Sequence, residues 1–368
     1  MTATAKVIGL MSGTSLDGVD AAILETDGEG MAVPGLALTL PYGAEDRKVL
    51  KNALDVARNL PQGAAAPLSI GDAERVVTSA HAEAVAQLLK QAGLRAGDIA
   101  FLGFHGQTIL HRPEQRWTWQ IGDGPNLARM TGIAAVNDFR SADVAAGGEG
   151  APFVPLYHDA LTKRMERPVA VVNIGGVANV TYAGEDGTLI AFDTGPGNAG
   201  LDDWALRHTG IPVDKGGALA KTGKVDEARL ASLLENPFFG RKPPKSLDRL
   251  DFPVNAADGL SAPDGAATLT AFTAASIARA SEHMPQAPRC WIICGGGRHN
   301  PVLMSELRSR LPAKVMSAED AGWRGDFLEA EAFAYLAMRS VKGLPLSLPS
   351  TTGVPYPMKG GRVHTPTA

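Results

Sequence analysis

Apolar residues along the chain fall into short blocks that alternate between strand-like runs and helix-like stripes. Residues 6–11 and 20–26 are apolar runs parted by Ser12-Gly13-Thr14-Ser15-Leu16-Asp17-Gly18, a pattern that predicts an opening hairpin. Residues 43–56 have helical character, and the Pro/Ala/Gly-rich residues 61–67 read as a loop. After Asp72, the residues Val77, Ala80, Ala84 and Leu88 share one helical face, with Asp72 the expected N-cap and Gly93 the stop. Residues 99–104 predict a buried strand that delivers His105, Gly106, Gln107 and Thr108 at its carboxyl end, where α/β sheets bind ligands.

The second half repeats this logic. An apolar run at 169–173 breaks at Ile174-Gly175-Gly176 and resumes through Asn179 to Tyr182, placing a second glycine hairpin about 160 residues after the first, one domain length. Residues 189–192 predict a third strand that ends in Asp193-Thr194-Gly195-Pro196-Gly197-Asn198. A long helix is expected after Asp264, with Leu269, Phe272, Ala275 and Ala280 in the core. Residues 290–294 read as a buried strand, followed by Gly295-Gly296-Gly297 and a helix capped by Asn300 with Pro301 at its first position. The last ten or so residues read as a loosely held tail.

Composition narrows the class. A length of 368 residues, 45% apolar and 20% charged, suits a two-domain globular protein. The net charge of −4 supplies no attraction to nucleic acid or anionic lipid, so neither partner is expected. No run approaches the roughly 20 apolar residues of a membrane span, and the N-terminus lacks a signal-peptide pattern, so the cytoplasm is the expected location. Cys290 and Cys294 flank an apolar Trp-Ile-Ile and read as buried thiols rather than a disulfide or metal pair.

The breaks between the runs carry the candidate chemistry. Gly13 and Gly18 suit a turn through positive φ, while Ser12, Thr14 and Ser15 add donors and Asp17 a carboxylate able to hold a magnesium-bound water, a combination suited to phosphate. Gly295, Gly296 and Gly297 before a capped helix suit the adenine and ribose of a nucleotide, or merely a glycine-rich strand end. Asp193 at a strand end suits a general base or metal ligand, or else caps its own turn. Asp138 and Asp143 flank Arg140, which either pairs with Asp138 or grips a substrate carboxylate bidentately. His105 is read either as a catalytic base or as a residue that orients a loop. No Gly-x-Ser-x-Gly elbow, Walker A loop or His/Cys metal spacing is present. Two glycine hairpins, a strand-end carboxylate and a late glycine cluster together describe a two-domain phosphotransferase closing on ATP.

The ordered set GLMSGTSLDGVD, FHGQT, QIGD, NDFRSADVAAGGEGAPFVP, NIGGVANVT, FDTGPGN and CGGGRHN closely resembles the 1,6-anhydro-N-acetylmuramic acid kinase family over nearly the whole chain. That family lies in the sugar kinase, actin and heat-shock chaperone superfamily. The resemblance implies an α/β fold of two duplicated actin/hexokinase-like domains with an ATP and sugar cleft between them. The expected division is 1–135 plus about 340–368 for the first domain and 136–339 for the second.

The resemblance also implies the chemistry. Water attacks C1 of the 1,6-anhydro sugar as the bridge oxygen leaves toward the γ-phosphate of ATP, with Mg²⁺, giving N-acetylmuramic acid 6-phosphate in cell-wall recycling. Asp193, in the family's DxGPGN motif, is the implied base. Gly13, Thr14, Ser15, Leu16, Asp17, Gly18, Val19 and Asp20 form the implied first phosphate loop, with Asp17 toward the metal. Asn173, Gly175, Gly176 and Asn179 form the second, and Gly295, Gly296, Gly297 and Asn300 the nucleoside site. Gln107, Thr108, Asp138, Arg140 and Glu329 are the implied sugar contacts. Family members are often dimers, so a homodimer is the implied assembly. One departure is visible: the family's Pro-Lys-Ser-Thr-Gly-Arg-Glu reads here Pro244-Lys245-Ser246-Leu247, so Lys245 and Ser246 are kept and Thr-Gly is not. Two other readings stand beside this one, a kinase for another anhydro-sugar or a hexosamine, and a non-catalytic actin-like ATP-binding protein.

Overall fold

A computed structural model describes residues 4–247, 252 and 255–366. The chain divides into two compact units, residues 1–163 with 327–368, and residues 164–326. In chain order, β1 (Ala5–Ser12), β2 (Gly18–Thr26) and β3 (Ala32–Pro41) lead to α1 (Ala44–Arg58) and α2 (Leu68–Ala92). Then come β4 (Phe101–Arg112), β5 (Trp117–Ile121), α3 (Gly124–Thr131), β6 (Ala135–Asn137), α4 (Ser141–Ala145) and α5 (Pro155–Thr162). The second unit holds β7 (Val169–Ile174), β8 (Val177–Ala183), β9 (Leu189–Pro196), α6 (Ala199–Thr209), α7 (Glu227–Leu234), α8 (Ala262–Arg279), β10 (Cys290–Cys294), α9 (Pro301–Arg310) and β11 (Lys314–Ser317). The chain returns to the first unit with α10 (Leu328–Val341), α11 (Pro349–Thr352) and β12 (Arg362–His364).

The two units share one topology. The first sheet runs β12-β6-β4-β1-β2-β3 with β5 paired to β4, and the second runs β11-β10-β7-β8-β9. In each, three strands form an antiparallel meander whose first strand also pairs in parallel with a later one, β1 with β4 and β7 with β10. This duplicated arrangement bears out the expected α/β class.

Small residues set how closely the layers approach. Over the first sheet, α10 lies so near that a Cβ on Gly9 or Gly103 would collide with the carbonyls of Ala330 or Phe333. Apolar residues on the meander strands pack with Val77, Ala84, Val85 and Leu88 of α2 in one buried cluster. In the second unit, Val172, Val180, Trp291 and Ile293 from the sheet pack with Ile277 of α8 and Leu303 of α9. Such burial contributes about 25 cal/mol per Å² of apolar surface, the main term holding each unit together.

Several sequence expectations need correction. The α2 helix begins at Leu68 behind Pro67, not at Asp72, because α2 continues one more turn toward Pro67 and buries Ile70. The predicted stop at Gly93 holds, with φ +66. The HGQT stretch lies inside β4, not beyond it: a bulge between Phe104 and Gln107, with Gly106 at φ +74, lets β4 continue into a hairpin with β5. Asp193 also lies within its strand, because β8 pairs with β9 as far as Pro196. The tail is not loose, since Arg362–His364 pairs with β6. The compact units part at 163/164 and 326/327 rather than at 135/136 and 339/340, because β6, α4, α5 and α10 all belong to the first sheet's unit.

Candidate active site

In the first unit the β1–β2 loop is built by side chains. Ser12, buried at the end of β1, donates its hydroxyl to Gln107 Oε1 at 2.6 Å and lies 2.9 Å from the Tyr42 hydroxyl. Burial pushes the Tyr42 phenol up to about 12, which keeps it neutral. Leu16, not a glycine, takes the left-handed conformation at φ +56 and tucks its side chain into the core. Neither Gly13 nor Gly18 has positive φ. Gly18 is small for another reason: a Cβ there would stand 2.6 Å from the Leu40 carbonyl of β3. The loop therefore presents Thr14, Ser15 and Asp17 outward and buries Leu16, Gly18 and Val19. Ser15 Oγ donates to Asp17 Oδ1 at 2.9 Å, and Asp20 accepts from Thr39 Oγ1 at 2.5 Å.

The expected sugar contacts separate into different environments. Gln107 is fully buried and its amide serves Ser12 and the Thr108 carbonyl, so it braces the loop instead of facing a ligand. Thr108 Oγ1 accepts from Gln120 Nε2 at 3.2 Å. Asp138 sits at φ +57 and pairs with Arg362 of β12 at 2.9 Å, not with Arg140. It also lines a polar cavity of about 410 Å³ with Trp119, Gln120, Asp123 and Asn137, a size and lining suited to a hydroxylated ring. Glu329 is exposed in the first turn of α10.

Arg140 is held by a network that the sequence does not display. Its Nε donates to His105 Nε2 at 3.0 Å, its Nη1 donates to the Gly150 carbonyl at 2.6 Å, and its guanidinium lies 5.3 Å from the Phe153 ring. Burial brings its pKa down to about 10, with Glu329 and Asp143 opposing that shift. Burial and the nearby Arg140 charge hold the His105 imidazole well below its ordinary value, so it is neutral. With Nδ1 donating to the Gly106 carbonyl at 2.8 Å, both ring nitrogens are engaged, which assigns His105 to orientation rather than base catalysis. Asp143, the second carboxylate of that motif, is fully occupied: it accepts from Gly150 N, Thr352 Oγ1 and Ser347 Oγ and ties the glycine loop to α11.

In the second unit the corresponding loop is built by main-chain approach. Asn198 N donates to the Gly175 carbonyl at 2.7 Å and Gly197 N to the Gly176 carbonyl at 3.0 Å. A Cβ on Gly197 would collide with the Gly175 carbonyl, and one on Gly297 would come within 2.7 Å of Ile174 Cβ. The loop after β7, the end of β9 and the Gly295-Gly296-Gly297 segment thus form one knot of backbone, with Gly176 and Gly296 exposed. Asn173 and Asn179 face each other across the β7–β8 ladder. Asn300 is buried and caps α9, its Oδ1 accepting from Val302 N and Leu303 N. Arg298, a residue the sequence reading did not single out, clamps the knot by donating to the Gly295 carbonyl, Glu319 and Asp326.

Asp193 projects from β9 beside the segment that departs from the family pattern. Its Oδ2 accepts from Leu247 N at 2.8 Å, and its own N–H donates to the Lys245 carbonyl at 2.9 Å. Because Leu247 contributes its main chain, this contact does not depend on the Thr-Gly that the chain lacks. Lys245 is buried, with Nζ donating to the carbonyls of Phe238 and Phe239 and lying 4.4 Å from the Phe238 ring. Burial, then Arg241 and Arg279, lowers its pKa to about 8, with Glu282 and Asp193 opposing.

Among the described residues no group of three or more His, Cys, Asp or Glu stands ready for a metal. Mg²⁺ commonly rides on phosphates with one or two protein carboxylates, and the exposed Asp17 fits that lesser demand. Among the described residues no helix is long and apolar enough to cross a membrane.

Comparison with known proteins meets the motif series. A family model described as anhydro-N-acetylmuramic acid kinase matches residues 5–365. The chain is 54% identical to the anhydro-N-acetylmuramic acid kinase of Rhizorhabdus wittichii over 360 residues, covering 98% of both chains. It is 54% identical to that of Nitrobacter winogradskyi over 362 residues, 98% of this chain and 99% of the relative. With the motifs in place on two duplicated sheets and the match running through both units, the chain belongs to the anhydro-N-acetylmuramic acid kinase family.

Proposed function

We propose that Asp193 is the general base with which this sugar kinase of peptidoglycan recycling opens the ring of 1,6-anhydro-N-acetylmuramic acid. The substrate's O6 is locked in the anhydro bridge, so no free 6-hydroxyl exists to accept a phosphoryl group. Asp193 takes a proton from water and the water oxygen bonds to C1. The C1–O6 bond breaks, and O6 takes the γ-phosphoryl group of ATP as ADP leaves. The products are N-acetylmuramic acid 6-phosphate and ADP. Phosphoryl transfer here stands in for the general acid that an inverting glycosidase uses to protonate its leaving oxygen.

One observation carries this reading: Asp193, whose carboxylate accepts from Leu247 N–H, sits on β9, and the residues that follow this strand, Gly197 and Asn198, are bonded to the Gly175–Gly176 loop. Base and second phosphate loop are therefore parts of one rigid piece, as an in-line transfer requires. The outward hydroxyls of Thr14 and Ser15, together with exposed Gly176 and Gly296, support phosphate and nucleoside binding. Asp17 is assigned to a water of Mg²⁺, which when bound neutralises charge developing on the phosphates. Arg140 is assigned to the substrate's lactyl carboxylate, because a guanidinium matches that planar anion. The cytoplasm, as the source of ATP, and a homodimeric assembly complete the reading.

The test is product analysis with anhydro-sugar and MgATP. One N-acetylmuramic acid 6-phosphate per ADP is expected. ADP formation with the anhydro ring intact would overturn the proposal.

A further inference from the structure

Arg140 carries five N–H donors, and the structure accounts for only some of them. Nε is taken by His105 at 3.0 Å and one Nη1 hydrogen by the Gly150 carbonyl at 2.6 Å, while among the described residues Nη2 donates to nothing. A guanidinium can present two parallel hydrogen bonds either from its Nε/Nη2 edge or from its Nη1/Nη2 end. The first edge is closed by His105.

His105 itself has no freedom to turn. It is buried, its Nδ1–H is spent on the Gly106 carbonyl at 2.8 Å, and its ring packs 4.5 Å from Phe333 of α10. The bulge that carries it has Gly106 at φ +74, a conformation that fixes the carbonyl receiving the proton. The neutral tautomer with its proton on Nδ1 is thus imposed from one side, and Nε2 is left as an acceptor facing Arg140.

We propose that His105 is a positioning residue for substrate specificity: by accepting the Arg140 Nε–H, it turns the Nη1/Nη2 end of the guanidinium into the grip for the sugar's carboxylate. This rests on the assignment of Arg140 to that carboxylate.

The experiment compares affinity for 1,6-anhydro-N-acetylmuramic acid and for 1,6-anhydro-N-acetylglucosamine, which lacks the lactyl carboxylate, by titration calorimetry. Wild type, Arg140→Met, His105→Leu and His105→Gln are used. The wild type is expected to favour the carboxylated sugar at least 10-fold, and Arg140→Met to abolish that preference. His105→Leu is expected to lose most of it while still binding the uncharged sugar, which also shows that the variant is folded. His105→Gln, whose side-chain oxygen reaches the position of Nε2, is expected to retain the preference within about 3-fold. Should His105→Leu fail to fold, a His105→Gln preference as low as that of Arg140→Met would still overturn the proposal. A preference untouched by Arg140→Met overturns the assignment of Arg140 itself. A preference lost in Arg140→Met but intact in His105→Leu leaves that assignment standing and overturns the positioning role of His105.

Discussion

The β1–β2 loop and the β7–β8 loop occupy the same place in two sheets whose matching strands, β6-β4-β1-β2-β3 and β11-β10-β7-β8-β9, follow one order, yet they are held by opposite means. In the first, side chains carry the shape: Ser12 bridges Gln107 and Tyr42, and a leucine buries itself at positive φ. In the second, backbone rests directly on backbone, Gly175 and Gly176 against Gly197 and Asn198, with Gly297 packed on Ile174. One topology thus supports two ways of fixing the loop between its first two strands. The first depends on satisfied hydroxyls and amides, the second on the absence of Cβ atoms.

The largest effect is expected at Asp193, the proposed base. Asp193→Asn keeps a hydrogen-bond acceptor for Leu247 N–H but cannot take a proton, so kcat falls by about 10²–10⁴ while ATP affinity is retained; steady-state kinetics and nucleotide titration check both. Next, Gly197→Ala forces the Gly175 carbonyl away and is expected to cost about 1–3 kcal/mol and to weaken ATP binding. Gly13→Ala, whose Cβ would meet nothing closer than Ser15 Oγ at 3.4 Å, is expected to fall within about 0.5 kcal/mol of wild type in urea unfolding. Equal costs for these two glycines would break the contrast between the loops.

Much of this arrangement is legible in the sequence, and the gaps have physical causes. Both hairpins, the Asn300 cap, the Gly93 stop and the buried Cys290–Cys294 strand follow from local chemistry that the sequence displays. The strand β3 escapes detection because Pro34, Gly35 and Pro41 break its pattern and none of its residues is buried. Strands β4 and β9 run past the points where their apolar runs end, since pairing with β5 and β8, not hydrophobicity, extends them. Tyr42, Arg298 and the cage around Lys245 carry no local signal at all. Their roles depend on partners well removed in sequence, Ser12 for Tyr42, Glu319 for Arg298 and the Phe192 ring for Lys245.

A middle-sized effect probes the side-chain-built loop. Ser12→Ala leaves the buried Gln107 amide and Tyr42 hydroxyl short of a partner, and about 1–2 kcal/mol of stability should be lost in urea unfolding, without a main-chain clash.

A pH-dependent effect tests a side-chain feature inside the backbone-built unit. Lys245 has a folded pKa of about 8 against an ordinary value of 10.5. Between those values the unfolded chain binds the extra proton, so this group's contribution to stability rises with pH across that window and is flat on either side. The urea midpoint of wild type relative to Lys245→Met should therefore shift in favour of wild type from pH 8 to pH 10.5. A flat difference would mean that Lys245 is not desolvated as its cage of carbonyls and rings implies.

The most direct test of ring opening by an Asp193-activated water is turnover of 1,6-anhydro-N-acetylmuramic acid with MgATP in ¹⁸O-labelled water, read by mass spectrometry. The predicted product is N-acetylmuramic acid 6-phosphate with one labelled oxygen at C1 and none in the phosphate ester. Label in the phosphate group, or a phosphorylated sugar that still holds its anhydro bridge, would contradict it.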